Sequence, residues 1–238
     1  MSSQPWQYQP TPGLEQPWHT RLQQVPRPPD MLVYGLRALA ALPLRAYLRT
    51  YHRLQIIGRE NLPATGSFVM VANHASHLDT VSLLSALPIS RLHRAFPVAA
   101  QDYFFVSLSR FAPAAILTNA IPFARTAHLR RSLDLCRRLL AIPGNILIIF
   151  PEGTRSTTGT LGPFRAGVGS LVGGTGIPVV PCAIQGAFRA WPKGRGFPTP
   201  HALRLVIGTP RTFTHLPPAK DSSHRIAADL RSAVQELL

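Results

Sequence analysis

Two short segments of the chain gather side chains suited to acid–base and anion chemistry. The first is Asn73-His74-Ala75-Ser76-His77-Leu78-Asp79 and the second is Phe150-Pro151-Glu152-Gly153-Thr154-Arg155-Ser156. A carboxylate on one imidazole nitrogen fixes the tautomer and leaves the other nitrogen as a general base. His74 and Asp79 are five residues apart, about 500° around a regular helix, so they diverge by about 140° and would not meet there. They meet if His74 stays in a loop and Asp79 enters the first helical turn. Ser76, followed three residues later by Asp79, has the form of a capping box that would begin a helix at this point. A purely structural reading is therefore open as well: Ser76 caps, Asp79 closes the box, and His74 and His77 are polar loop residues.

In the second segment a carboxylate, a permissive glycine and a cation follow an apolar run. Arg155 can fork onto a phosphate. Glu152 can accept a substrate hydroxyl or orient an arginine. The alternative is a turn with a local Glu–Arg pair, which contributes little on a surface. Arg125, in Ile121-Pro122-Phe123-Ala124-Arg125, gains interest only in company with Arg155. Other chemistries lack their residues. Ser170 sits between Val168 and Val172, where a serine elbow needs glycines. Gly167, Gly169 and Gly173 miss the spacing of a dinucleotide fingerprint, and there is no P-loop and no zinc pattern. Without a serine elbow, an acyl-enzyme hydrolase is disfavoured.

The elements that must carry these segments alternate between strand-like and helix-like pieces from residue 54 onward. Residues 66–72, 95–100, 145–150, 177–184 and 203–207 are apolar and read as strands. Residues 77–87, 128–141 and 225–237 read as helices. In the second of these, Leu129, Leu133, Cys136 and Leu140 form one stripe, with Arg130, Arg131, Arg137 and Arg138 off it. Both polar segments thus follow strands directly, and ligands of open α/β sheets bind at the carboxyl ends of strands. The expected architecture is α/β, a single domain with a mainly parallel sheet flanked by helices. Three regions are expected: a proline-rich arm over 1–30, an amphipathic membrane-proximal helix over 31–53, and the domain proper over 54–238. Arg37, Pro43 and Arg45 interrupt the apolar run after Met31, so this helix should lie on a surface rather than cross a bilayer, broken in its second half by Pro43. Two readings of it stand side by side: an ordinary amphipathic helix packed on the core, or an interfacial helix whose Arg37, Arg45, Arg49 and Arg53 face lipid headgroups.

Composition narrows the partners. The 238 residues carry 25 Lys+Arg against 10 Asp+Glu, a net charge of +15. A chain this basic should meet something anionic: nucleic acid, a phospholipid surface or phosphorylated small molecules. Nucleic acid is the weaker choice, because the basic helix has no interleaved aromatics and no nucleic-acid motif is present. Two cysteines, far apart, give neither a disulfide framework nor a metal motif. The first residues lack the basic start and apolar core of a signal peptide, so none is expected.

Taken in order, NHASHLD, FPEGTRS and IPVVPCAI resemble the motifs of the glycerolipid acyltransferase family, typified by 1-acylglycerol-3-phosphate acyltransferases. The resemblance covers roughly residues 54–210. It implies that His74 is the catalytic base and Asp79 its partner. It likewise implies that Glu152, Gly153, Thr154 and Arg155 form a glycerophosphate-binding motif, joined by Arg125. Asn119 and Ala124 stand where the family usually shows a glycine and often an acid. The activity implied is O-acyl transfer from an acyl thioester to a lysophospholipid, lysophosphatidate giving phosphatidate. An acylated amino-acid lipid is the alternative acceptor, and a scaffold with a dead site is disfavoured by the intact motifs. No metal or cofactor is implied; acyl-CoA or acyl-carrier protein is the co-substrate. The expected setting is the cytoplasmic side of a membrane, peripheral or monotopic, on an anionic surface, with no nucleic-acid partner.

Overall fold

A computed structural model describes residues 31–100, 118–123 and 129–238. The 1–30 arm and Arg125 lie outside the described residues. The strands β1 (Gln55–Ile57), β2 (Phe68–Ala72), β3 (Ala95–Ala100), β4 (Ile121–Phe123), β5 (Ile146–Ile149), β6 (Val179–Gln185) and β7 (Arg204–Ile207) make one sheet in the order β1-β7-β6-β2-β5-β3-β4. Every pairing is parallel except β6 with β7. The expected α/β class with a mainly parallel sheet is what the chain adopts.

The central strands are apolar on both faces because both faces are covered. Phe68, Met70 and Ala72 of β2 point into one core, together with Ile146, Ile148, Val180 and Cys182. Val69 and Val71 point into the other, together with Leu147 and Ala183. The two-residue period of a strand thus divides each sequence run between two cores. The first core is closed by α1 (Met31–Thr50), α2 (Leu78–Ala86) and the short α5 (Ala187–Ala190). The second is closed by α3 (Leu129–Ala141), α4 (Gly167–Val172) and α6 (Lys220–Glu236). Both cysteines are buried, Cys182 in the first core and Cys136 in the second. Burial pushes the Cys136 thiol up to about 12 and raises that of Cys182 as well.

Several elements depart from the sequence expectation. β1 and β4 are three-residue strands on the two edges of the sheet, too short for an alternation to register. The glycine-rich stretch at 167 forms α4 because Gly169 lets it cross α6 closely; a Cβ there would lie 2.2 Å from the Ser223 carbonyl oxygen. The closing helix α6 starts at Lys220, more than a turn and a half before Ile226, its first large apolar side chain.

The N-terminal helix differs most. It is continuous from Met31 to Thr50 and passes through Pro43, whose ring sits on the exposed face, where the carbonyl it leaves free can meet solvent. It does not reach residue 53. Arg37 is buried, and Arg45 donates through Nη2 to the Leu87 carbonyl, so these two arginines face the body and not the headgroups. Burial lowers the Arg37 guanidinium to about 10. Arg49 and Arg53 remain exposed. The outward face carries Met31 (81% exposed), Leu32 (72%), Leu36, Leu39 and Leu42. By length and composition this helix is apolar enough to cross a bilayer.

Candidate active site

β2 ends where Asn73 takes over the ladder with its side chain. Its Nδ2 donates to the Ile184 carbonyl (2.9 Å) and its Oδ1 accepts from the Ile184 N–H (2.8 Å). The main chain is then free to turn away from β6, which places His74 at the rim in a loop. Asp79 is in the first turn of α2, as the loop-plus-turn arrangement requires. His74 Nδ1 lies 2.9 Å from Asp79 Oδ2, and the same oxygen accepts the N–H groups of Ala75 (2.7 Å) and Ser76 (2.8 Å). Asp79 is fully buried, while the His74 side chain is 21% exposed. An ionised Asp79 accepts from Nδ1–H, so Nε2 is left with its lone pair. The capping box forms by half: Asp79 reaches back to the Ser76 N–H, but Ser76 Oγ accepts from Leu78 (3.2 Å) and donates to the Trp191 carbonyl (2.8 Å). The structural and chemical readings of Asp79 therefore hold together in one side chain.

The second segment grips the first. Glu152 Oε1 accepts the His74 N–H at 2.7 Å, and the Ser156 N–H donates to the His74 carbonyl at 2.7 Å. Glu152 Oε2 accepts from the Gly162 N–H at 2.9 Å. Both Glu152 oxygens are thus committed to backbone, where the sequence suggested a substrate hydroxyl or an arginine. This carboxylate positions the loop that carries His74. The His74 ring also stacks on Phe150, with centroids 4.1 Å apart. Gly153 has φ 76, and a Cβ there would lie 2.6 Å from Arg165 Nε, so both its conformation and its neighbour demand glycine.

A cavity of about 580 Å³ opens in front of His74. Gly153, Thr154 and Arg155 line it, and so do Arg165 and Lys193, which sequence reasoning missed because single cations give no local signal. Arg155 Nη1 is buried without a hydrogen-bond partner among the described residues, as suits a donor awaiting an anion. Deeper in, the walls are apolar: Val98, Phe123, Leu133, Ile149, Val168 and Leu171. Cationic groups at the mouth and an apolar interior fit an amphiphile with an anionic head.

His77 lines the same cavity but is chemically distinct. Burial, followed by the nearby Arg155 and His74, pushes its imidazole down to about 4, against a smaller opposing pull from Asp79. It is neutral and weakly basic at neutral pH. Its folded value lies below that of a free imidazole. Its contribution to stability is therefore present above about pH 6.5 and is lost as pH falls towards 4. Among the described residues, no group of three or more His, Cys, Asp or Glu side chains gathers to hold a metal ion.

The model of the acyltransferase family matches residues 53–185. The chloroplastic 1-acyl-sn-glycerol-3-phosphate acyltransferase of Brassica napus is 31% identical over 169 residues, covering 67% of this chain and 45% of that protein. The 1-acyl-sn-glycerol-3-phosphate acyltransferase of Pseudomonas aeruginosa is 30% identical over 157 residues, covering 66% and 58%. The chain spans about half the length of the curated relatives it matches. The crystal structure of the 1-acyl-sn-glycerophosphate acyltransferase of Thermotoga maritima superposes with a TM-score of 0.66 at 23% identity, over 87% of this chain and 80% of that one, a likeness of fold.

Proposed function

The chain belongs to the acyltransferase family, and from that premise we propose that it transfers a fatty acyl group from an acyl thioester to the free hydroxyl of lysophosphatidate, giving phosphatidate in glycerolipid synthesis. One observation carries this reading: the His74–Asp79 pair opens onto a cavity that is cationic at its mouth and apolar within. His74 Nε2 takes the proton of the acceptor hydroxyl as that oxygen attacks the thioester carbonyl carbon. The C–S bond then breaks, and the leaving thiolate takes the proton back from Nε2. Arg155 holds the acceptor phosphate, with Arg165 and Lys193 beside it, and so supplies orientation. Arg125 is assigned to the same phosphate on the motif resemblance alone. The test is to incubate purified protein with lysophosphatidate and a panel of acyl-CoA and acyl-carrier-protein donors, then weigh the product. Failure to form phosphatidate from every donor would overturn the reading.

Arg155→Ala should raise the acceptor KM by about 10- to 100-fold, the value of one charge-assisted hydrogen bond. Its effect on kcat and on donor KM should be smaller. Arg155→Lys should restore only part, because an ammonium lacks the fork. An unchanged acceptor KM in steady-state kinetics would remove Arg155 from the site.

We infer that the protein works at the cytoplasmic face of a membrane, where its charge would meet anionic lipid. With Arg37 and Arg45 turned inward and Arg53 beyond the end of the helix, the outward leucines of α1 carry the attachment and Arg49 assists. Each leucine buried in lipid contributes about 2 kcal/mol. Leu36→Glu with Leu39→Glu should therefore lower binding to neutral vesicles by about a hundred-fold or more, as read by flotation. Retained binding of the double variant would show that α1 is not the anchor.

A further inference from the structure

The rim that carries His74 continues past β2 in the direction away from the apolar cavity. β7 runs against β6, and β1 runs with β7, so both begin on the rim where β6 ends. Gln185, Arg204 and Gln55 form one row across these three strands. A second cavity of about 690 Å³ opens around that row, lined by Arg53, Arg189, Arg204 and His201 together with the hydroxyls of Thr158 and Thr160. No carboxylate side chain lines it. The three arginines are exposed, and among the described residues none makes an ion pair.

The backbone of Arg53 is held in the left-handed region, at φ 45, uncommon for a residue other than glycine. Its neighbours fix the turn: Leu54 N–H donates to the Leu48 carbonyl, and Leu203 N–H to the His52 carbonyl, both at 2.9 Å. The way α1 ends thus fixes the backbone of Arg53 at the edge of the cavity.

The two cavities flank the base. On one side the apolar walls belong to β3, β4 and β5. On the other, β6, β7 and β1 step away from β2 by about 4.8 Å each, which puts the far edge of the basic row about 14 Å from the strand that leads to His74. A donor whose thioester sits at His74 can extend its acyl chain one way and a polyanionic handle the other. We propose that this basic groove anchors the nucleotide phosphates of an acyl-CoA donor. The inference rests on the acyl-transfer reading above and adds the identity of the donor. Its volume is that of a nucleotide-sized site, and guanidinium forks match phosphate oxygens.

The test uses the full chain and adenosine 3′,5′-bisphosphate, the phosphorylated end of coenzyme A, titrated by calorimetry. The triple variant Arg53→Ala, Arg189→Ala, Arg204→Ala should bind it at least about ten-fold more weakly than the parent. A control with the same loss of charge, Arg130→Ala, Arg131→Ala, Arg138→Ala on α3, should bind like the parent. In kinetics the groove variant should raise the KM for acyl-CoA by a similar factor, with the lysophosphatidate KM unchanged. With an acyl-pantetheine donor, which has no nucleotide, groove variant and parent should turn over alike. Arg189→Ala and Arg204→Ala alone should each weaken nucleotide binding several-fold, so a folding defect in the triple variant does not shelter the proposal. Equal binding by groove variant and control would overturn it. So would a raised KM for acyl-carrier protein without one for acyl-CoA, which would make the occupant a protein. Nucleotide binding is read without turnover, so a failure to form phosphatidate leaves this measurement independent.

Discussion

Replacing His74 with alanine should lower acyl transfer by at least about 10²- to 10⁴-fold, the usual contribution of a positioned general base, and leave the fold intact. The expectation of an intact fold has a local basis. The backbone ties of His74, its N–H to Glu152 and its carbonyl from Ser156, do not depend on the ring. Only the contact with Phe150 and the bond to Asp79 are lost. His77→Ala is the paired control. That imidazole, held near 4, is a poor proton acceptor at neutral pH. It should retain more than about a tenth of the activity. Steady-state rates of the two variants decide the matter: an inactive His77→Ala beside an active His74→Ala would reverse the assignment.

Asp79→Asn should be nearly as damaging, for two reasons that separate in measurement. The carboxylate accepts three N–H donors on one buried oxygen. An asparagine whose amide nitrogen faces His74 donates to Nδ1, moves the ring proton to Nε2 and removes the base. Loss of the correct tautomer costs about 10⁴ in a comparable His–Asp pair. An asparagine turned the other way keeps the tautomer but gives up the charge-assisted bonds at the start of α2, worth about 1–2 kcal/mol. For a chain of this size that loss lowers Tm by about 2–8 °C. A melting curve beside the rate therefore divides the effect. Activity above a tenth of the parent with an unchanged Tm would sink the role given to Asp79.

Much of the frame was legible because its physics is local. β2, β5 and β6 are apolar on both faces, which only a doubly covered sheet requires, and the polar segments follow two of them at once. The meeting of His74 with Asp79 was legible too, since one loop residue before a helical turn solves a five-residue spacing. What stayed hidden depends on distant partners. Glu152 answers to N–H groups 78 and 10 residues away, and no spacing rule announces a main-chain donor so remote. Arg37 and Arg45 read as outward charges on an apolar helix. Their direction is set by the packing of α1 on the body and by the Leu87 carbonyl, 42 residues from Arg45. Arg165 and Lys193 are brought to the cavity by the segments that follow β5 and α5.

The burial of both thiols has a practical consequence. At neutral pH a group titrating near 12 is protonated almost completely, and only the thiolate reacts with disulfide or alkylating reagents. Cys136 and Cys182, the two cysteines of the chain, should therefore react slowly in the folded protein. If the proposed transfer from a thioester holds, a thiol-reactive chromogen added during turnover would register chiefly the thiol that leaves the donor. Turnover could then be followed continuously, in native protein, over a low background. The same reagent would register two further equivalents per chain once the sheet opens, so one absorbance trace would report first on catalysis and then on survival of the fold.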